Sequence, residues 1–276
     1  MKEELLKQLI IGEKQERKLA AEELANYPEE QVIEALVSCL ASEPLKSIKI
    51  TCAESLKTIN QPLVAKKIVN LLNHRDERVR LLAQEVLIFL KDKAIPYLSP
   101  LLKNSDYNIR KYALDVLAAI KSPKALSLIL PLTSDPEPNV RYTAVEYLAL
   151  FPKKNPEVSK TLKQILSTAN EPYGLATLVQ VIKIRKEKSL IPLLKQRLRQ
   201  IDDNFIKFWL YKALLYLKEK GIFVEALNNA LEIKAHEDIL KDILILEEKI
   251  PKEVINWIKK KNIKIKDPTL QRVLEC

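Results

Sequence analysis

A pattern of about nine residues that occurs six times along the chain constrains the fold more than any other feature. Val79-Arg80-Leu-Leu-Ala83-Gln-Glu-Val86-Leu87 recurs as Ile109-Arg110-Lys-Tyr-Ala113-Leu-Asp-Val116-Leu117 and as Val140-Arg141-Tyr-Thr-Ala144-Val-Glu-Tyr147-Leu148. Upstream copies are Arg17-Lys-Leu-Ala20-Ala-Glu-Glu23-Leu24 and Ile48-Lys49-Ile-Thr-Cys52-Ala-Glu-Ser55-Leu56. Downstream, Ile206-Lys207-Phe-Trp-Leu210-Tyr-Lys-Ala213-Leu214 carries Leu in the Ala slot. The basic anchors at 17, 49, 80, 110 and 141 are 32, 31, 30 and 31 residues apart. The step to 207 is 66 residues, two periods, and the missing anchor falls at Gly174. A chain with this period is an array of short supersecondary units.

Each copy places apolar residues at i, i+3, i+4, i+7 and i+8, one face of an α-helix. The Ala slot at Ala20, Cys52, Ala83, Ala113 and Ala144 is small, as a close helix crossing requires. A second apolar-periodic segment precedes each copy, as in Leu63 to Leu72, Ala94 to Leu102, Ala125 to Leu132 and Leu190 to Leu198. Polar turns join the two: Asn73 to Asp76, Asn104 to Asp106, Ser134 to Pro138, and Asp202-Asp203. Asp or Asn there caps the following helix, and Pro136 and Pro138 stop the preceding one. The pattern predicts an all-α, right-handed solenoid of stacked helix pairs over 1–220. Residues 221–276 read as a degenerate helical pair or cap.

Apolar-Pro-x-Leu-x-x-Leu-Leu followed by Asp-Pro-x-x-x-Val-Arg-x-x-Ala-x-x-x-Leu resembles the HEAT-repeat family, in particular the short repeats of the phycobilisome-lyase subclass. Ile95-Pro96 through Leu117 and Leu128 through Leu148 carry it here, the latter with Asp135-Pro136 and Val140-Arg141. The resemblance implies a ladder in which Asp76, Asp106 and Asp135 pair with Arg80, Arg110 and Arg141 of neighbouring repeats. It implies a fold and no single function, since the family holds scaffolds, transport receptors and a few enzymes.

Composition removes most catalytic classes. Three glycines in 276 residues cannot furnish a phosphate-cradling loop, and two histidines and three scattered cysteines leave no metal-ligand spacing. No catalytic, cofactor or metal residue is therefore assigned. His74 lies in an inter-helix turn and reads as exposed; Cys39 and Cys52 read as buried small apolar groups, and Cys276 is the last residue. Trp257 reads as core. The resemblance brings in alkylpurine DNA glycosylases built from HEAT-like repeats, which use several groove Trp residues and a nearby Asp. Trp209 is the one groove candidate, and Ala213 stands one turn later where an acid is needed. A bilin-lyase-like role rests on the resemblance alone. The cysteine usage, the charged N-terminal segment and the lack of any long apolar run predict a monomeric, cytoplasmic protein with no membrane contact. Its single Met and abundant Ile, Lys and Glu hint at a thermophile.

Two surfaces then compete for function. Taking the positions one, four, five and eight after each anchor as solvent-facing, the fifth carries Glu22, Glu54, Glu85, Asp115 and Glu146. This series breaks at Val179 and Lys212. With Tyr142, Phe208 and Tyr211 also on outward slots, these acids predict a groove that holds a protein partner. Residues 151–220 instead carry 15 Lys and Arg against 6 Asp and Glu, most of the net +10. Lys183, Arg185, Lys186, Lys188, Lys195, Arg197 and Arg199 lie there beside Phe208, Trp209 and Tyr211, which suits a polyanion such as nucleic acid. The ordinary alternatives are a favoured helix former at one slot and a solvated helix face at the other. The reading chosen is a non-enzymatic protein-binding scaffold using the groove, with a nucleic-acid-binding solenoid as runner-up.

Overall fold

The computed structural model describes residues 1–219 and 221–275, so Cys276 lies outside the described residues. All of the secondary structure among them is helical. The chain divides into two compact units, Met1–Ala144 and the remainder from Val145. The division falls inside the repeat array and not at residue 220.

The first unit contains α1 (Lys2–Ile11), α2 (Lys14–Leu24), α3 (Glu30–Ser42), α4 (Lys46–Ile59), α5 (Pro62–Ile68), α6 (Glu77–Leu90), α7 (Ile95–Leu98), α8 (Tyr107–Ile120) and α9 (Pro123–Ile129). It ends within α10 (Pro138–Tyr147). Odd-numbered helices are the first members of the pairs and even-numbered ones the second. The first helices α5, α7 and α9 each finish in a 3-10 turn, at Val69–Asn73, Ser99–Lys103 and Leu130–Ser134. In two of them Pro100 and Pro131 remove the N–H that would continue the α pattern. The turn acids start the second helices as expected. Asp76 accepts from the Arg78 N–H at 2.9 Å, Asp106 from the Asn108 N–H at 2.8 Å and Asp135 from the Glu137 N–H at 2.9 Å.

The second unit contains α11 (Pro156–Thr168), α12 (Pro172–Arg185), α13 (Ile191–Gln200), α14 (Asn204–Tyr216), α15 (Phe223–Glu232), α16 (His236–Glu247), α17 (Lys252–Lys261) and α18 (Pro268–Glu275). Gly174 sits in the first turn of α12, so the repeat lacking its motif still forms a second helix. Residues 221–275, expected to be one terminal pair or cap, form four helices. Trp257 is buried, and its Nε1–H donates to Asn228 Oδ1 at 2.9 Å. With so few glycines, several helices end on left-handed Asn60, Lys121, Lys186, Glu248 and Asn262.

The small slots hold the array together. Ala20, Cys52, Ala83, Ala113 and Ala144 are all at most 1% exposed. Within the first unit each second helix packs on its own first helix and on the second helices beside it: α2 on α4, α4 on α6, α6 on α8. That double contact corrects one expectation about outward positions. The fourth residue after the anchor is buried as Ala21, Ala53 and Leu114, on second helices that pack on their neighbours, and Val145 is buried at the same station. The exposed stripe of a second helix is thus narrower than its amphipathic pattern suggests.

Replacing Ala113 by Phe overpacks the crossing at a fully buried slot and should cost roughly 1–3 kcal/mol. Urea denaturation checks this; an unchanged midpoint would show that the slot is not a crossing point.

Candidate functional site

The anchors come first, since they set which charges remain for a ligand. Arg110 donates from Nε and Nη2 to both oxygens of Asp135, at 2.9 and 2.7 Å, a two-pronged pair from one repeat to the turn of the next. Arg17 makes the same pair with Glu43, at 3.1 Å twice, and Lys49 reaches Asp76 at 3.4 Å. Arg80 departs from the ladder that the family resemblance implied. Its guanidinium bonds the His74 and Arg75 carbonyls of its own turn and lies over the Tyr112 ring. Arg110 and Arg141 likewise hold two carbonyls of their own turns: Asn104 and Ser105, and Asp135 and Pro136. These carbonyls lie at the ends of the preceding 3-10 turns, so the anchor cation is a C-cap supplied from the next helix. His74, expected to be exposed, is half-buried, and its Nδ1 accepts from the Asp76 N–H at 3.1 Å.

Burial alone would raise the Asp135 carboxyl, but Arg110 and the Glu137 N–H outweigh it and hold the group below the ordinary carboxylate range. A carboxylate lowered on folding stabilises above its unfolded pKa of about 3.9 and loses that contribution as pH falls through the folded value. Asp135→Asn should therefore lower the melting temperature near neutral pH and flatten its fall below about pH 4. Melting curves from pH 7 to 2 check this; parallel curves for both proteins would contradict it.

Of the acids on the second helices, Glu22, Glu54 and Glu85 are exposed in the first unit and Asp115 is half-buried. Glu146, in the second unit, is exposed at the same station. Lys57 is shared by Glu54 and Glu85, at 2.8 and 3.6 Å, while Lys111 holds Asp115 at 3.1 Å. The aromatic expectations fare less well. Phe208 is buried, packed edge-on to Trp209 at 5.3 Å between ring centres. Tyr142 and Tyr211 are half-buried, and the Arg141 guanidinium covers the Tyr142 ring at 4.9 Å.

The basic segment is corrected more deeply, because two of its arginines point inward. Arg185 is 3% exposed and donates to four carbonyls, those of Leu148, Phe151, Pro152 and Lys153, at 2.7–3.1 Å. Arg197 is 6% exposed and bonds the Leu166 and Ala169 carbonyls and Asn170 Oδ1. Burial pushes both guanidinium pKa values down, and Glu187 beside Arg185 opposes the shift there. Both act as loop clamps, with their donors turned to backbone carbonyls rather than to the surface. Lys195 pairs with Glu219 at 2.5 Å. Lys183 lies over the Tyr216 ring at 4.4 Å. Lys183, Lys186, Lys188 and Arg199 remain exposed. Arg suits this work because its forked donors reach several carbonyls at once, but exposed Arg199 shows that residue type alone does not separate the roles.

Cys39 and Cys52 are free and buried against each other, and the neighbouring thiol, with burial, pushes the Cys52 pKa up. Such a thiol is a poor nucleophile. No group of three or more His, Cys, Asp or Glu able to hold a metal occurs among the described residues. No helix among them is long and apolar enough to cross a membrane.

Helix pairs with a buried small slot, cross-tied by anchor cations, define an α-solenoid. The HEAT repeats family matches residues 3–88 and 95–183, and the chain belongs to that family. Of solved structures, Kap121p aligns with 99% of this chain and 36% of its own, at 14% identity and a TM-score of 0.56. The complex of CpcE and CpcF of phycocyanin lyase from Nostoc sp. PCC7120 aligns over 87% of this chain and 94% of its own, at 20% identity and a TM-score of 0.35. No curated protein matches the sequence.

Replacing Arg185 or Arg197 by Met removes the shared donor from several carbonyls of one loop, and each should cost about 1–3 kcal/mol. Lys188→Ser, on an exposed side chain, should stay within about 0.5 kcal/mol. Urea midpoints of the three variants check this, and equal midpoints would remove the clamp assignment.

Proposed function

We propose that this protein is a non-enzymatic scaffold that binds another protein through the exposed faces of its second helices, α4, α6 and α8. The observation that carries this reading is the recurrence of Glu54, Glu85 and Asp115 at one station of three successive second helices that pack side by side. A partner presenting Lys or Arg suits them, and such charges chiefly accelerate association. The same acids oppose a nucleic acid lying along these helices. The runner-up, a polyanion site over 151–220, is weakened because Arg185 and Arg197 are consumed by backbone carbonyls and Lys195 by Glu219.

The test is an affinity capture from the native host with the intact protein and with a Glu54→Gln, Glu85→Gln, Asp115→Asn variant. Proteins retained by the wild type should bind the variant about tenfold more slowly, with little change in its melting temperature. Unchanged capture would reduce the acids to helix chemistry. Retention that nuclease abolishes would favour the polyanion reading.

A further inference from the structure

In the first unit a cleft of about 800 Å³ opens along α4 and α6. Its lining has an order that neither the acids nor the apolar pattern reveals alone. On α4, Lys46 and Ile50 line the cleft and Glu54 stands one turn beyond it, each four residues from the last; on α6, Arg78, Leu81 and Glu85 line it at intervals of three and four. Both spacings keep one helix face. Each helix therefore shows a base at its N-terminal end, an exposed apolar side chain in the middle and an acid beyond. The bases and acids are about 10–12 Å apart along the axis. Ile50 is 38% exposed and Leu81 50%, and the two lie on neighbouring helices in one cleft. Neither Lys46 nor Arg78 has an ion pair among the described residues, whereas Glu54 and Glu85 share the single ammonium of Lys57. The cleft's other acids at that end are answered already, Asp76 by the α6 N-terminus and by Lys49, and Glu43 by Arg17, so Lys46 and Arg78 keep their charge, while the acidic end keeps a net negative charge. Elsewhere the order is broken: α8 offers Asn108, Lys111 and Asp115 at the corresponding places, with no apolar band.

We propose that this cleft docks an amphipathic helix of a partner protein that carries an acid, an apolar residue and a base at successive turns of one face. The apolar residue covers Ile50 and Leu81, the acid meets Lys46 and Arg78, and the base meets Glu54 and Glu85. The proposal rests on the protein-binding reading and sharpens it, because the acidic row alone asks only for a basic partner. An amphipathic helix matches the three bands at its own i, i+4 and i+8 positions, which is why a helix fits better than an extended segment.

The experiment uses the whole chain and two labelled synthetic peptides of about 20 residues, long enough to hold helix when bound. One peptide presents Glu, Leu and Lys at i, i+4 and i+8; the other presents Lys, Leu and Lys. By fluorescence anisotropy at low salt the first should bind at least about tenfold more tightly. Lys46→Glu with Arg78→Glu should reverse that preference. Ile50→Asp with Leu81→Asp, both on exposed side chains, should abolish binding of both peptides while leaving the circular dichroism spectrum unchanged. Equal or tighter binding of the Lys-Leu-Lys peptide would overturn the three-band groove and leave the acidic-row reading standing. If neither peptide binds while Ile50→Asp with Leu81→Asp captures the same host proteins as wild type, the groove fails and the scaffold survives. A dimer in the ultracentrifuge that this apolar double variant dissociates would assign the cleft to a second copy and overturn the partner helix.

Discussion

Everything here follows from helices that bury their apolar faces only against their immediate neighbours. Such a helix must approach two others closely, which is why the residue three places after each anchor is Ala or Cys through the first five repeats and is buried each time. The same proximity leaves helix ends facing one another across the turns, with carbonyls that have no partner inside their own helix. The anchor cation answers both needs. Arg110 caps the 3-10 turn behind it and grips the next turn through Asp135. A lysine in that place, as at Lys49, delivers only long contacts, to the Ala41 carbonyl and to Asp76, each at 3.4 Å. The rung is thus strongest where the cation is a fork.

This internal use of cations decides what remains for function. The charge excess over 151–220 looks like a polyanion surface while each Lys and Arg is counted alike. Arg185 and Arg197 together satisfy six backbone carbonyls, so the segment's positive charge is partly a device for holding loops. In the first unit the balance runs the other way. Lys46 and Arg78 stay outside the ladder and face a cleft beside two exposed aliphatic side chains. Charges that a structure does not need are the better guide to binding.

The helix pairs, their turns and the small slots were legible because they are local: period, cap and slot all lie within one repeat. The outward stripe was legible only in part. Ala53 and Leu114 occupy positions that a lone amphipathic helix would turn to water, and they are buried because the next repeat lies there. Phe208 is buried although its station follows an anchor by one residue, a slot that holds exposed Ile50 and Leu81 in the first unit. The roles of Arg185 and Arg197 were hidden because their partners are carbonyls about thirty residues upstream, which carry no sequence signature. The four helices of 221–275 carry no anchor, so periodicity could not count them.

Anchor cations such as Arg110 bind repeat to repeat and are therefore not free for a ligand. A double-mutant cycle on Arg110 and Asp135 measures this most directly, using Arg110→Met, Asp135→Asn and the combined variant in urea denaturation at neutral pH. The account predicts a coupling energy above about 1 kcal/mol, with the double variant less destabilised than the two single changes added together. Additive effects, with a coupling within about 0.3 kcal/mol of zero, would show that the rung does not tie one repeat to the next.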